Sequence, residues 1–429
     1  MHTLLDELRW RGLLYQHTEG VSALLQRGVV SGYVGFDPTA ASLHVGNLVP
    51  IMALVHLQRS GHRPIALVGG GTGLIGDPSG RASERGLLTP EQVEANVRGI
   101  RSQLARFLDF NDSSNNGRGA ILVDNGDWLR GLRTVEFMRD VGKHFTVNYM
   151  LQKESVKARL DGGISFTEFS YMLLQAYDFL ELHQRYGVLL QLGGSDQWGN
   201  ITAGIELIRK SAGAEAQAAT LPLVTTASGA KFGKSEAGAV WLDASLTSPY
   251  EFYQFWLNAD DRDAGRYLRY FTLLGREEIE ALDQATEERP ERREAQQMLA
   301  REMTGRLHGE DALRAAVEVS GFFFGGLDPT SLSRAALEVL SMEAPFVEVK
   351  EGDVADAQGL DVFKLLVASG LAASNGAARR LLEQGGISVN KRKLGAQERY
   401  VPASETLLVG GYVILGKGKR DYAVVRLLR

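Results

Sequence analysis

The chain has 429 residues, of which 44% are apolar and 23% are charged, and its formal net charge is −5. This composition is typical of a globular protein with roughly two to four domains. The absence of cysteine excludes disulfides, thiolate metal sites and a cysteine nucleophile. No apolar run approaches the roughly 18 residues that span a bilayer, and the amino terminus lacks the pattern of a secretory signal, so we expect a cytoplasmic protein without a membrane partner.

Short apolar strands alternate with helical runs up to about residue 225. The candidate strands are 29–36, 64–70, 120–124, 188–192 and 221–225. Strands this apolar are buried on both faces, which predicts an α/β fold with a doubly wound, mostly parallel, Rossmann-like sheet. Ligands bind such a sheet at the carboxyl ends of its strands. We therefore assign 1–225 to a catalytic domain, with a helical insertion at about 127–164.

A polar turn at 38–47 follows the first of these strands. It contains His44 and Gly46 and leads into a predicted helix over 48–57. Phosphates bind at such turns because free backbone N–H groups and the positive end of the helix dipole face them, and glycine allows a close approach. Alone, a His-x-Gly sequence is more often an ordinary turn.

A second segment, Lys-Phe-Gly-Lys-Ser at 231–235, places two lysines around a glycine. Its low apolar content predicts a mobile cationic loop within a connector at 226–248. On its own, such a loop is usually solvated surface. Together, the polar turn and the lysine loop predict the two halves of one triphosphate site.

The remainder of the chain divides into a helical part and a basic end. Helical periodicity over 277–284 and 291–307 predicts a helical domain at 249–324. A linker is predicted at 325–350, because its first residues are rich in glycine. Residues 351–429 have the pattern of a small α+β module, with helices at 361–370 and 375–385, a strand at 386–389 and a hairpin formed by 410–415 and 421–427.

The module is basic although the chain is acidic. Residues 376–429 carry eleven Lys and Arg against four Asp and Glu. This asymmetry indicates a surface that binds a polyanion. A solvated basic tail without a partner would have the same composition.

The polar turn and the lysine loop resemble the signature pair of the class I aminoacyl-tRNA synthetases. Further strings at 33–39, 73–80, 171–178 and 193–200 narrow the resemblance to the bacterial-type tyrosyl-tRNA synthetases, over essentially the whole chain. The resemblance implies a tyrosine–tRNA ligase, which activates L-tyrosine with ATP and Mg²⁺ and transfers it to tRNA(Tyr). It also implies a homodimer formed through the insertion at 127–164.

Activation requires in-line positioning and positive charge for the departing pyrophosphate, since the substrate carboxylate is itself the nucleophile. The resemblance assigns these tasks to the lysine loop, to the loop after Asp77 and to the polar turn. The catalytic candidates are Lys231, Lys234, Arg81, Arg85, His44, Thr39 and Asn47. Asn47 stands where the family motif often has a second histidine, and its amide is also a neutral donor.

The same resemblance divides the remaining candidates between the two small substrates. ATP is expected to contact Gly35, Asp37, Gly46, Gly194, Asp196, Leu223, Val224, Lys234 and Ser235. The tyrosine phenol is expected to bond Tyr33 and Asp178, its ammonium Asp77, Tyr171 and Gln175, and its carboxylate Gln197. No residues are assigned to a resident metal.

The basic module resembles an RNA-binding fold named after a small-subunit ribosomal protein. Its RNA-binding candidates are Arg379, Arg380, Lys391, Arg392 and Lys393, which suit contacts with phosphates and RNA shape. Two alternatives remain open at this point: a tryptophanyl-tRNA synthetase relative, and a non-catalytic RNA-binding or splicing protein on the same fold.

Overall fold

The computed structural model describes residues 3–77, 87–111, 118–160, 162–229, 232–235, 238–418 and 421–428, with positions 155, 158, 159, 234 and 235 described in their backbone alone. The chain forms two compact units. The first comprises Met1–Thr247 and Phe255–Leu307, and the second comprises Ser248–Gln254 and His308–Arg429. Within the described ranges, no helix has the length and apolarity that crossing a bilayer requires.

The first unit is an α/β sheet covered by helices. Its strands are β1 Gln16–His17, β2 Ser31–Phe36, β3 Arg63–Val68, β4 Ile121–Asp124, β5 Leu190–Gly194, β6 Gln217–Leu221, β7 Lys234–Ser235 and β8 Gly238–Ala239. Its helices begin with α1 Leu4–Trp10, α2 Val21–Gln26, α3 Leu48–Arg59, α4 Pro90–Leu104, α5 Gly126–Leu129, α6 Thr134–Asp140, α7 Val147–Leu151, α8 Glu154–Leu160, α9 Phe166–Tyr186 and α10 Trp198–Ala212. The helix α11 Pro249–Leu257 is shared between the two units, and α12 Asp261–Phe271, α13 Arg276–Glu288 and α14 Glu294–His308 follow it.

The order of the main sheet is β1-β6-β5-β2-β3-β4, and every pair except β1–β6 is parallel. From β2 the chain builds toward β4 on one side, whereas β5 and β6 build the other side. The topological switch point therefore lies between β2 and β5, where ligands bind in open α/β sheets. This sheet confirms the predicted Rossmann-like fold class.

The core beside the sheet explains why α9 and α10 form where they do. Apolar side chains of β2, β3 and β4 pack against Phe179 and Leu180 of α9 and against Leu207 and Ile208 of α10. Each of these helices ends at a left-handed glycine, which lets the chain reverse into the next strand. The two helices thereby fix one wall at the switch point.

Four of the five predicted strands are confirmed, with shifts of one or two residues at their ends. The prediction of a strand at 221–225 was wrong, because the strand is Gln217–Leu221 and ends before Pro222. Proline has no N–H with which to continue a ladder. The predicted insertion at 127–164 is largely helical and contains α6, α7 and α8.

The second unit contains α15 Glu310–Phe324 and α16 Arg334–Glu343, followed by the α+β module. The remaining helices are α17 Glu351–Val354, α18 Val362–Ala368, α19 Asn375–Glu383 and α20 Ala403–Thr406. The strands are β9 Phe346–Lys350, β10 Ala355–Asp356, β11 Gly359–Asp361, β12 Ile387–Val389, β13 Arg392–Lys393, β14 Tyr400–Val401, β15 Tyr412–Lys417 and β16 Asp421–Leu428. They form a sheet of order β13-β12-β15-β16-β9 and a smaller one of order β10-β11-β14.

The region predicted as a linker, 325–350, differs from that expectation. It contains α16, and β9 runs parallel to β16 as the edge strand of the module's larger sheet. The glycines at its start are followed by ordinary amphipathic sequence, whose strand character depends on a partner more than 70 residues away. The predicted hairpin is present as the antiparallel pair β15–β16.

Candidate active site

A cavity of about 760 Å³ opens at the carboxyl ends of β2, β3 and β5. Twelve of the sequence-predicted residues line it: Tyr33, Gly35, Asp37, Thr39, His44, Asn47, Asp77, Tyr171, Gln175, Asp178, Gly194 and Gln197. Arg81, Arg85 and Lys231 lie outside the described residues. The structure thus brings residues from five separate parts of the chain to the switch point of the sheet.

Asp178 is held in the wall of this cavity by two side chains that the sequence analysis missed. Asn125 donates from Nδ2 to one carboxylate oxygen at 2.8 Å, and Trp128 donates from Nε1 to the other at 2.7 Å. Burial raises the pKa of Asp178 to about 8, and these two bonds oppose the shift. Asn125 directly follows β4, and Trp128 lies in the short helix α5 just after it. Their position at the carboxyl end of a predicted strand was the sequence signal that could have identified them.

Tyr33 lies on the same wall, with 1% of its surface exposed and its ring 5.2 Å from that of Phe179. Its hydroxyl has no hydrogen-bond partner among the described residues. Burial, with the charge of Asp178, raises the pKa of this phenol well above its usual value. A buried hydroxyl without a partner is costly unless a ligand satisfies it, so this wall suits a ligand that carries a polar group into an apolar site.

A polar network lines the next part of the cavity. Asp37 accepts one bond from the Tyr171 hydroxyl and one from Thr72 Oγ1, both at 2.8 Å. The Tyr171 phenol is buried, and burial together with Asp37 raises its pKa well above the usual value. Asp37 was assigned to the nucleotide, yet it lies in contact with a residue assigned to the amino acid.

Gln197 forms a second group of hydrogen bonds, just after β5. Its Nε2 donates to Asp77 at 2.6 Å and to Asp196 at 3.2 Å. Asn200 donates to the Gln175 side-chain oxygen at 3.0 Å. The residues predicted for the ammonium and the carboxylate therefore belong to two hydrogen-bonded groups. One joins Tyr171, Asp37 and Thr72, and the other joins Asp77, Gln197, Asn200 and Gln175. Neither Thr72 nor Asn200 was a sequence candidate.

The polar turn presents His44 toward the cavity. Its Nδ1 accepts from the Gly46 backbone N–H at 3.0 Å, which places the proton of the neutral ring on Nε2. Asn47 accepts the His44 backbone N–H at 3.0 Å, so its side-chain oxygen caps the turn. Asn47 therefore helps to hold the backbone of the turn at His44, in addition to the role as an amide donor that was predicted for it.

The polar turn and the lysine loop meet through the segment 240–242. Leu242 and Val240 exchange backbone bonds with Leu43 and Val45 at 2.8 and 2.9 Å, and Val240 also donates to the Gly233 carbonyl at 3.0 Å. Gly233 has φ +81°, and a Cβ there would lie 2.8 Å from a Val45 methyl. The two signature segments, almost 190 residues apart, are therefore neighbours in space.

The lysine loop, for which low apolar content predicted a mobile cationic loop, contains one buried residue. Phe232 is only 4% exposed and packs among four aromatic rings of α11 and α12: Phe255, Trp256, Tyr267 and Phe271. One phenylalanine is enough to bury the middle of a short segment when a preformed aromatic pocket accepts it. A low apolar fraction could not reveal this.

Four further nucleotide candidates are not among the residues that line the cavity, and of Lys234 and Ser235 only the backbone is described. Gly46 is in the polar turn, and Asp196 is in the turn after β5, where burial raises its pKa. Leu223 and Val224 follow β6, whose last residue is the ladder neighbour of Gly194. Asp196, Leu223 and Val224 therefore follow the carboxyl ends of two neighbouring strands, β5 and β6.

In the second unit, most RNA-binding candidates are exposed. Arg379 and Arg380 are exposed on α19, and Lys393 is exposed on β13, where it approaches Gly385 just after that helix. Arg392 pairs with Glu398 at 2.7 Å. Lys391 differs from the others, because its ammonium donates to the Phe322 carbonyl of α15.

The comparisons with known proteins address both parts of the chain. The family of class I tRNA synthetases for W and Y matches residues 26–325, and the SYY-like C-terminal domain of tyrosine–tRNA ligases matches 341–425. The tyrosine–tRNA ligase of Roseiflexus castenholzii is 53% identical over the full length of both chains. The chain belongs to the class I tyrosyl-tRNA synthetases.

Other relatives agree with this membership. The tyrosine–tRNA ligase of Geobacillus stearothermophilus is 52% identical to this synthetase over 99% of each chain. A crystal structure of the C-terminally truncated mitochondrial tyrosyl-tRNA synthetase of Aspergillus nidulans is 31% identical with a TM-score of 0.66, and covers 74% of this chain and 92% of its own. The resemblance inferred from the signature segments is confirmed.

Proposed function

We propose that this synthetase forms tyrosyl-adenylate from L-tyrosine and ATP in the cavity, and then transfers the tyrosyl group to the 3′ end of tRNA(Tyr). The observation that carries the proposal is the buried wall formed by Tyr33 and Asp178. It offers an unpartnered hydroxyl beside a carboxyl group, which matches the phenol of tyrosine. Tryptophan has only an N–H donor and would leave part of this wall unsatisfied.

Tyrosine would lie with its phenol against that wall and its amino-acid group toward the polar network. Asp77, Tyr171 and Gln175 would hold the ammonium, and Gln197 would contact the carboxylate. A buried ammonium needs a carboxylate and further acceptors, and this part of the cavity supplies both. The bonds that already join these side chains would orient them before the substrate arrives.

Adenylate formation needs no protein base. A substrate carboxylate oxygen forms a bond to the α-phosphorus of ATP as the bond from that phosphorus to the bridging oxygen breaks, and pyrophosphate leaves with the electron pair. His44, through Nε2–H, and the Thr39 hydroxyl would donate to the phosphates. The charge on the departing group would be met by Lys231, Lys234, Arg81 and Arg85, with Ser235 as a further donor.

ATP would occupy the polar-turn side of the cavity. The glycines at 35, 46 and 194 would allow the nucleotide to approach the backbone, and Asp196 would accept from the ribose hydroxyls. Leu223 and Val224 would offer backbone groups to the adenine edge. Mg²⁺ would accompany the triphosphate, because phosphate oxygens are ligands that this ion prefers.

Transfer requires the tRNA, for which the helical region at 249–324 and the module at 351–429 would provide the surface. The exposed Arg379, Arg380 and Lys393 support phosphate contacts there. We also propose a homodimer formed through the insertion and acting in the cytoplasm. Val135 and Val147 of the insertion are 80% and 61% exposed, and Phe166 just after it is 70% exposed. Apolar exposure of this extent is typical of an interface.

The deciding experiment is pyrophosphate exchange with either tyrosine or tryptophan, followed by charging of tRNA(Tyr). Exchange that depends on tyrosine alone, together with charging, is the expected result. Exchange with tryptophan would favour the tryptophanyl alternative. RNA binding without any exchange would favour a non-catalytic protein.

A further inference from the structure

Lys391 occupies a backbone conformation that a lysine adopts unfavourably. It is the second residue of a two-residue hairpin turn between β12 and β13, in which Asn390 and Lys391 have φ values of +47° and +61°. Asparagine tolerates this left-handed region, but the second position of such turns strongly favours glycine. A residue kept in an unfavourable conformation suggests a task that glycine cannot perform.

The turn is firmly held at its first residue. Asn390 donates from its backbone to the Ile414 carbonyl at 2.8 Å, and its side-chain oxygen accepts the Ile414 N–H at 2.9 Å. Its Nδ2 donates to the Thr406 carbonyl at 2.6 Å. These three bonds maintain the turn without any contribution from the Lys391 side chain.

The Lys391 side chain instead leaves the module and contacts the end of α15. Its ammonium donates to the Phe322 carbonyl and lies 4.3 Å from the centre of the Phe322 ring. The last turn of a helix carries partial negative charge, so a cation there is favourable, and the ring adds a cation–π contact. Burial lowers the pKa of this ammonium, which agrees with a group withdrawn from solvent.

A second contact joins the same two elements. The Tyr422 ring on β16 meets the rings of Phe322 and Phe323 edge-on, at 5.9 and 5.8 Å. Lys391 and Tyr422 therefore hold the module on α15 from two places in its larger sheet, the β12–β13 turn and β16. We name these four residues, Lys391, Tyr422, Phe322 and Phe323, the α15 seam.

We propose that Lys391 is a positioning residue, which holds the module on α15 so that its exposed arginines meet the tRNA in a fixed orientation. It was a candidate for RNA binding by sequence, but its ammonium is already engaged within the protein. The inference rests on the proposed transfer of tyrosine to tRNA. A positioning role and a phosphate contact can be distinguished by two measurements: charging of tRNA by a variant in which the turn strain is relieved, and the salt dependence of charging.

Two substitutions separate the side chain from the strain of the turn. Lys391→Ala removes the ammonium and keeps a Cβ in the left-handed region, whereas Lys391→Gly removes the ammonium and relieves the strain. For both variants we expect kcat/KM for tRNA to fall roughly tenfold, as the loss of a charge-assisted bond implies. Tyrosine-dependent pyrophosphate exchange should be unchanged, and Lys391→Gly should melt at a higher temperature than Lys391→Ala.

Two kinetic results would overturn the inference. If Lys391→Gly charged tRNA as well as the unmodified enzyme while Lys391→Ala did not, the turn conformation and not the seam would matter. If either variant reduced the salt dependence of charging by about one phosphate contact, Lys391 would bind RNA directly.

A measurement without tRNA tests the seam itself, and it succeeds or fails independently of the proposed function. Because the chain has no cysteine, Glu310→Cys on α15 and Glu383→Cys on α19 can carry two spin labels in the full-length protein. We expect one narrow distance distribution, which both Lys391 substitutions broaden. An unchanged distribution in both variants would refute the positioning role.

Discussion

The ring of Phe232 stacks on that of Phe271, with the centroids 5.3 Å apart and the planes 9° from parallel. Phe232 lies between the two lysines of the signature loop, whereas Phe271 is the last residue of α12. The loop is therefore attached at its middle to a helix that follows it in the chain. This attachment fixes the residue between the two lysines relative to α12.

Replacing Phe232 with Ala should detach the lysine loop from α12. Loss of a buried phenylalanine costs about 3–5 kcal/mol of stability, and we expect adenylate formation to slow by about tenfold or more because the loop lysines lose their position. Tyrosine affinity should change little. Phe324→Ala, at a ring that is 76% exposed, is the matched control. Normal adenylate formation by a folded Phe232→Ala enzyme would contradict the anchoring role.

Lys234→Ala should slow adenylate formation by about two or more orders of magnitude, since the missing charge acts on the departing pyrophosphate. Equilibrium binding of tyrosine should be nearly unaffected, because none of the residues proposed to hold tyrosine belongs to the lysine loop. Single-turnover kinetics and equilibrium dialysis separate the two quantities. An equal loss in both would show that Lys234 does not act on the leaving group.

Tyr33→Phe and Asp178→Asn should each reduce discrimination between tyrosine and phenylalanine. A site built around a hydroxyl rejects the analogue without it by roughly 10⁴–10⁵, a magnitude that was itself measured on a tyrosyl enzyme. The ratio of kcat/KM for the two amino acids in pyrophosphate exchange reports the loss. Tyr186→Phe, at an exposed tyrosine near the end of α9, should leave the ratio unchanged. Unaltered selectivity in both pocket variants would place the phenol elsewhere.

Stability should depend on pH through Asp178. Its pKa in the folded protein is about 8, because burial outweighs the bonds from Asn125 and Trp128. An unfolded aspartate titrates near about 3.9, so the folded state holds the proton more tightly and stability falls as the pH rises from about 4 to about 8. The melting temperature of Asp178→Asn minus that of the unmodified protein should therefore increase across this range. A constant difference would mean that Asp178 is ionised throughout.

A chain that ends at Glu343 should separate the two half-reactions. A cut before Gly352 would leave β9 without β16, whereas a cut after Glu343 removes the whole sheet and keeps the bond from Ser248 to Glu343. We expect near-normal tyrosyl-adenylate formation and no charging at low tRNA concentration. In the full-length enzyme, charging should weaken steeply with salt while activation does not. Charging that survives truncation would mean that the helical region alone positions the tRNA.

Much of the fold was predictable from local pattern. The strands β2 to β5 lie in short apolar runs of the sequence, and β3 is buried on both faces along nearly its whole length. Such runs differ from the pattern of an amphipathic helix. Local pattern failed at β6, where an apolar stretch continued past Pro222, and at β9, whose pairing depends on β16. Strand character there is a property of the partner and not of the segment.

The sequence by itself determined the chemistry of the site, because residue type and spacing specify donors, charges and the turn at His44. Only the tertiary structure decided how these groups are supported. Trp128 reaches Asp178 across 50 positions of the chain, and Lys391 reaches Phe322 across 69. Phe232 is buried by rings from two helices of a later segment. Such partners are chosen by packing, which depends on the positions of all the elements together and leaves no periodic signal in the residues themselves.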